Sequence, residues 1–329
     1  MDGKKPMTGC LLHLGVNLWS EECEQKGYYD GAPVINLKNN FGYKGHSSLF
    51  YRKDELRCDD SMWDDAVAAC AKAGMSFILI DVLDGMEYDS HPEISVKGAW
   101  SKAKLKSKLD EIRKLGMTPY PKLNFSCCHD VWLKKYARMI GLPEYYEVVS
   151  DLIDEVCEVF DDPALFHIGL DEEIYQYQKD YNIVIVRNGD LWWHDLYFYI
   201  KCVEKHGARP WIWTHFEEER FEEYANRMPK SVILSDWFYF DYFDQNANSW
   251  RLGEKDRFTK GEKFFAERGF DLIPTSSNYN FDRSFETVYK AMPSIVGEEH
   301  LLGVMQSNWK ATTEEFRSNI IESIENAKI

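Results

Sequence analysis

The sequence predicts a single (β/α)8 (TIM) barrel over residues 1–329, and two observations carry that prediction. Four times a helical pattern ends on a glycine and an apolar strand follows almost at once: "AKAGMSFILID", "IRKLGMTPYPKLNF", "EKHGARPWIWTHF" and "FAERGFDLIPTSS". Adding "CLLHLGVNLW", "LFHIGLDEE", "SVILSDWFYF" and "LLGVMQSNWK" gives eight strands, starting near 10, 75, 118, 165, 209, 231, 271 and 301, with helical patterns between them. Alternating strand and helix units build a parallel sheet, and eight of them close it into a barrel.

The elements follow in chain order. The opening "MDGKKPMTGCLLHLGVNLWS" reads as a first strand, because His13 and Asn17 interrupt the apolar run and no small-residue cleavage site follows. From Ser20 to Asp60 a long connection rich in glycine and tyrosine precedes the first helix. A loop of that length is usually functional, and as a strand-to-helix loop it is expected over the active-site face. Gly74, Gly116, Gly207 and Gly269 fit the left-handed residue that closes a helix. Between Glu144 and Phe160 the apolar positions Tyr145, Val148, Val149, Leu152, Ile153, Val156, Val159 and Phe160 fall on one helical face. Strands five and six are close in sequence, so their helix, within "FEEERFEEYANRM", is brief. No internal linker or second-domain boundary is visible.

Charge narrows the partners. The chain has 55 acidic and 39 basic residues, a net charge of −16, which opposes nonspecific attraction to nucleic acid or anionic membrane. No run of about 18 uninterrupted apolar residues exists to span a bilayer. The eight cysteines form no CxxC pair and suit reduced, buried thiols in a cytoplasm. No phosphate-cradling glycine loop or hydrolase nucleophile elbow is present, so no cofactor is expected. Oligomeric state is not legible.

"LFHIGLDEEIY", residues 165–175, is the stretch that points to chemistry. Roughly nine acidic pairs arise by chance in a chain of this composition, so adjacency alone means little and position decides. Alternation along the strand sends Phe166, Ile168 and Leu170 to the helical layer, and His167, Gly169 and Asp171 to the interior. Asp171 then points into the barrel mouth with Glu172 just beyond it, at the end of the barrel where catalysis occurs. Two carboxyls in a partly dry pocket are expected to separate in pKa, giving a proton donor beside an anion, the combination glycoside cleavage needs.

"HIGLDEE" resembles the His-x-Gly-x-Asp-Glu signature of family 20 glycoside hydrolases, the β-N-acetylhexosaminidases, which are (β/α)8 barrels. The resemblance implies Glu172 as general acid/base and Asp171 as the residue orienting the substrate's own 2-acetamido group, which serves as nucleophile. His129, in "NFSCCHD", is similar in place to the histidine that supports the acid. "SDWFYFD" is similar to the family's Trp-Tyr segment, implying Trp237 as a sugar wall and Tyr239 as partner of the acetamido oxygen. The family's strand-one arginine and strand-eight Trp-x-Glu are replaced by "GVNLWS" and "QSNWKAT", which leaves Asn17 and Asn308 in those places. Trp213 and Trp309 end strands five and eight as stacking platforms, and His215, Asp236 and Tyr279 complete the expected substrate-binding set. A carbohydrate substrate is the implied partner.

Other constellations use the same end of the barrel. His129, Glu172, His215 and Asp236 could converge on a divalent ion, as in a sugar isomerase. A two-carboxylate glycosidase would pair Glu172 with Asp236, Glu217 or Asp81. Cys127 and Cys128 offer a thiol nucleophile, though buried structural thiols are the commoner case. An inactive barrel that binds sugar needs the aromatic rim but not the acid pair.

Overall fold

The computed structural model describes residues 5–21, 23–25, 35–37, 51–179, 183–214, 216–240, 249–279 and 283–328. Eight parallel strands form the barrel: β1 (Met7–His13), β2 (Phe77–Asp81), β3 (Thr118–Lys122), β4 (Leu165–His167), β5 (Arg209–Trp213), β6 (Ile233–Ser235), β7 (Thr275–Ser277) and β8 (Gly303–Ser307). Each pairs with its sequence neighbour, and β1 pairs with β8. Parallel bridges Leu234↔Leu272 and Trp237↔Thr275 close the ring between β6 and β7.

A helix follows every strand: α1 (Asp60–Lys72), α2 (Lys102–Lys114), α3 (Pro143–Val159), α4 (Asp190–Glu204), α5 (Phe221–Arg227), α6 (Ser249–Ala266), α7 (Ser284–Val296) and α8 (Arg317–Asn326). Gly74, Gly116, Gly207 and Gly269 all take positive φ, between 76° and 83°, directly after a helix. That is the conformation a side chain resists and glycine accepts. The brief helix between β5 and β6 is α5, seven residues long. Tyr145, Val148, Val149, Leu152, Ile153, Val156 and Val159 are buried along α3, the face their spacing predicts.

Alternation divides the core in two. Leu11, Leu79, Trp211, Ile233, Ile273 and Met305 fill the barrel interior, while Leu12, Ile80, Phe166, Ile168 and Leu234 pack under the helices. Above the apolar interior lies a polar layer. Strand register puts His13, Asp81, Lys122 and His167 in one row across four adjacent strands. Asp81 pairs with Lys122 and lies 2.8 Å from His13, and all four side chains are buried. Buried charges persist only when paired in this way, so Asp81 and Lys122 stiffen the barrel directly below its mouth.

Much of the long connection after β1 lies outside the described residues. Its flanks are tied down by Asn17, whose amide meets Lys53 N and O at 2.9 and 2.8 Å. Among the described residues, no helix is long and apolar enough to cross a membrane. The seven cysteines whose side chains are described are free and buried.

Candidate active site

The site is built where two loops cross, those following β3 and β4. After His167 the chain turns through Gly169, Leu170 and Glu172, whose φ values of 77°, 74° and 59° are all left-handed. Two of these residues carry side chains, so the turn is strained and must be held from outside. The β3 loop holds it. Ser126 Oγ donates to the Asp171 carbonyl, Cys128 Sγ reaches the carbonyls of Asp171 and Glu172 at 3.3 and 3.2 Å, and Cys127 N donates to Glu173 at 2.9 Å. Gly169 has a second role, because a Cβ there would run into the Asn124 amide.

That amide is the first of two groups on Asp171. Asn124 Nδ2 donates to Asp171 Oδ1 at 3.0 Å, and His129 Nε2 lies 3.1 Å from Oδ2. His129 Nε2 is also 3.3 Å from Glu172 Oε2, so one imidazole nitrogen serves both acids. Its Nδ1 donates to the Cys128 carbonyl at 2.6 Å. With a carbonyl at one nitrogen and carboxylates at the other, the ring is best satisfied as imidazolium. Burial opposes that charge, but Asp171 and the Cys128 contacts raise the His129 pKa well above the usual histidine value. Burial would likewise raise Asp171, yet the His129 charge, the Lys122 charge and the Asn124 bond outweigh it and hold the carboxyl well below the usual range. Asp171 is 7% exposed, whereas the Glu172 side chain is 28% exposed and faces the opening.

The third acid is structural. Glu173 accepts from Arg187 through both oxygens, and the same guanidinium bonds Asp195 at 3.1 Å, Tyr199 OH at 2.5 Å and the Phe125 carbonyl at 2.7 Å. Arg187 thereby fastens the β3 loop, the β4 turn and α4 together.

Aromatic side chains form the opposite wall. Trp213, 2% exposed, packs its ring 4.5 Å from His167 and 6.2 Å from both Trp237 and Trp309, so it is floor rather than rim. Trp309 Nε1 donates to Tyr239 OH at 3.0 Å. Burial, together with the nearby charges of Glu172 and Asp171, raises the Tyr239 phenol, which keeps its proton. Tyr279 is exposed, its ring centroid 6.4 Å from that of Tyr239.

Several expected residues do not join this group. Asn17 spends its amide on Lys53, Arg57 and Asp84, both protons and both lone pairs being taken. Asn308 is turned outward: its Nδ2 donates to Asn319 of α8 at 3.2 Å. Asp236 alternates with the interior-facing Ile233 and Ser235, so its carboxylate faces the helices, where Arg257 of α6 grips it at 2.5 and 3.2 Å. It therefore serves neither as second carboxylate nor as metal ligand at the mouth. Asp81 is consumed in the buried layer below, Glu217 lies exposed beyond β5, and His215 lies outside the described residues. Burial, opposed in part by His129 at Cys128, pushes that thiol up to about 11, and Cys127 rises as well, so neither is a ready thiolate.

Sequence reasoning passed over Asn124, Trp19 and Arg187. Asn124 lies two residues beyond Lys122 on the same strand face, a signal alternation offers. Trp19 sets its ring edge-on to His129 at 5.9 Å, in the segment where only Asn17 drew notice. Donor atoms of His129, Asp171 and Glu172 lie within 4.8 Å of one another, a set that could hold a divalent cation. The imidazolium would first have to surrender its proton.

No protein-family model and no curated protein matches the sequence. Solved structures match in fold. The chitobiase of Flavobacterium johnsoniae aligns with a TM-score of 0.61 at 16% identity, covering 82% of this chain and 46% of that one. The GH20 exo-β-N-acetylglucosaminidase of Vibrio harveyi, solved with N-acetylglucosamine, aligns at 0.62 and 11% identity, covering 99% and 55%. Dispersin B aligns at 0.57 and 13%, covering 82% and 93%. The chain spans about half the length of the first two, and at these identities the likeness is one of fold.

Proposed function

We propose that the chain is a glycoside hydrolase that removes a terminal β-linked N-acetylhexosamine with retention, using the substrate's 2-acetamido group as nucleophile. One observation carries the reading: Asp171 and Glu172 share His129 at the mouth of the barrel, while Glu173, the remaining acid, is bound to Arg187. The likeness in fold to an exo-β-N-acetylglucosaminidase supports it.

Asp171 is anionic, and its oxygens retain lone pairs beyond those used by Asn124 and His129. They accept the acetamido N–H and so build electron density on the acetamido oxygen. Tyr239, whose oxygen already accepts from Trp309, donates its own hydrogen to that oxygen and aims it at the anomeric carbon. As the new C–O bond forms, the bond to the leaving group breaks and Glu172 passes its proton to the departing oxygen. The His129 imidazolium stabilises the glutamate carboxylate left behind. Water, losing a proton to that carboxylate, then opens the oxazolinium ring, and two inversions give net retention. Trp237 and Trp309 offer apolar faces to the pyranose.

A panel of chromogenic α- and β-glycosides, with and without the 2-acetamido group and with and without chelator, tests the proposal. Turnover confined to β-linked 2-acetamido sugars and indifferent to chelator is expected. Activity abolished by chelator would instead favour a cation held by His129, Asp171 and Glu172.

A further inference from the structure

A cavity of about 200 Å³ lies on the helix side of the β4 turn, with Glu172 on its wall. Its other walls include Leu170, Ile174, Tyr177, Trp192, Phe216 and Tyr224. Leu170, Trp192, Phe216 and Tyr224 belong to the core between strands and helices, so this space lies outside the barrel axis. Asp171 faces the axis and Glu172 stands between the two spaces. An acid in that position meets the sugar on one side and the group it releases on the other.

Several polar groups around the cavity are already engaged. Arg187 is bound by Glu173 and Asp195, Arg257 by Asp236, Arg220 by Glu223 at 3.2 Å, and Asn188 Oδ1 accepts from Gly189 N at 2.9 Å. A sugar in this space would have to compete with those pairs for hydrogen bonds, whereas an alkyl group against the apolar walls needs none. Glu217, exposed on the wall, disfavours an acidic group. The connection that supplies one wall also exposes Ile174, Tyr177, Ile183, Val184 and Val186 by about 40% each, an apolar surface in want of a cover.

We propose that this cavity is the leaving-group site, and that it selects an uncharged, apolar aglycone such as an alkyl chain over a second sugar. The inference rests on the proposed hydrolysis at Glu172. The test compares methyl and octyl β-glycosides of N-acetylglucosamine, whose leaving alkoxides are alike in reactivity, with the β-1,4-linked disaccharide. The octyl glycoside should exceed the methyl in kcat/KM by about tenfold or more. Tyr177→Ser and Ile174→Ser should each bring that ratio toward one, through KM more than kcat. An octyl-to-methyl ratio near one in the wild type overturns the inference while leaving the hydrolysis intact. So does a disaccharide whose advantage over the methyl glycoside, rather than that of the octyl, is what Tyr177→Ser removes. Failure to turn over any β-linked 2-acetamido glycoside takes away the hydrolysis itself, and the inference with it.

Discussion

Three adjacent acids have three different fates, decided by what each side chain meets. Asp171 is held anionic by His129 and Asn124, Glu173 is bound by Arg187, and Glu172 keeps an open side toward the mouth. Glu172→Gln should therefore lower cleavage of alkyl N-acetylglucosaminides by about 10²–10⁴-fold while binding of free N-acetylglucosamine, read by calorimetry, changes little. Asp171→Asn should damage 2-acetamido substrates selectively, and equal damage to any activity on a plain glucoside would contradict its orienting role. At this scale alternation was informative for β4, because Phe166 and Ile168 against His167 and Gly169 set the two faces apart. It was silent for β6, where Val232, Ile233 and Leu234 are apolar on both faces and gave no sign that Asp236 looks outward. Asn308, past the end of β8, suffered the same ambiguity.

The elements explain how a strained turn survives. Gly169 leaves space for the Asn124 amide, and Arg187 gathers the β3 loop, the β4 turn and α4 around one buried guanidinium. Removing it by Arg187→Met strands two buried carboxylates and should cost about 3–5 kcal/mol in chemical denaturation, with the Glu173→Gln/Arg187→Met double variant recovering part of the loss. A loss below about 1 kcal/mol would show that the ion pair is not what holds the turn. Helix ends and strand starts were legible because glycine at a left-handed position is a local signal. The Arg187 tie was not, since it joins segments brought together only by closure of the barrel.

For the molecule as a whole, three buried groups lean the same way with pH. Burial, partly offset by the Asn17 bond, pushes Asp84 up to about 7, and burial, partly offset by Arg138, pushes Asp130 up to about 8. An acid whose folded pKa is raised binds its proton more firmly when folded, so stability falls as pH climbs from about 4 toward those values. His129, raised by its partners, contributes fully below about 6.5 and loses that contribution as pH rises through its folded value. Asp171, depressed, contributes above about 4 and loses it as pH falls. Thermal stability should therefore be highest near pH 4 to 5 and decline toward pH 9, and a flat profile up to pH 9 would contradict these assignments. The barrel was legible as a whole because its repeat is periodic, whereas the long connection after β1 follows no period.

The acetamido group's part in the reaction can be measured directly. Aryl β-glycosides of glucosamine, acylated with acetyl, fluoroacetyl, difluoroacetyl and trifluoroacetyl groups, weaken the carbonyl oxygen stepwise while changing shape little. If that oxygen attacks the anomeric carbon beside Asp171, kcat/KM falls steeply with each added fluorine. A series that stays level would mean that the nucleophile is not the substrate's own and that Asp171 acts in some other way.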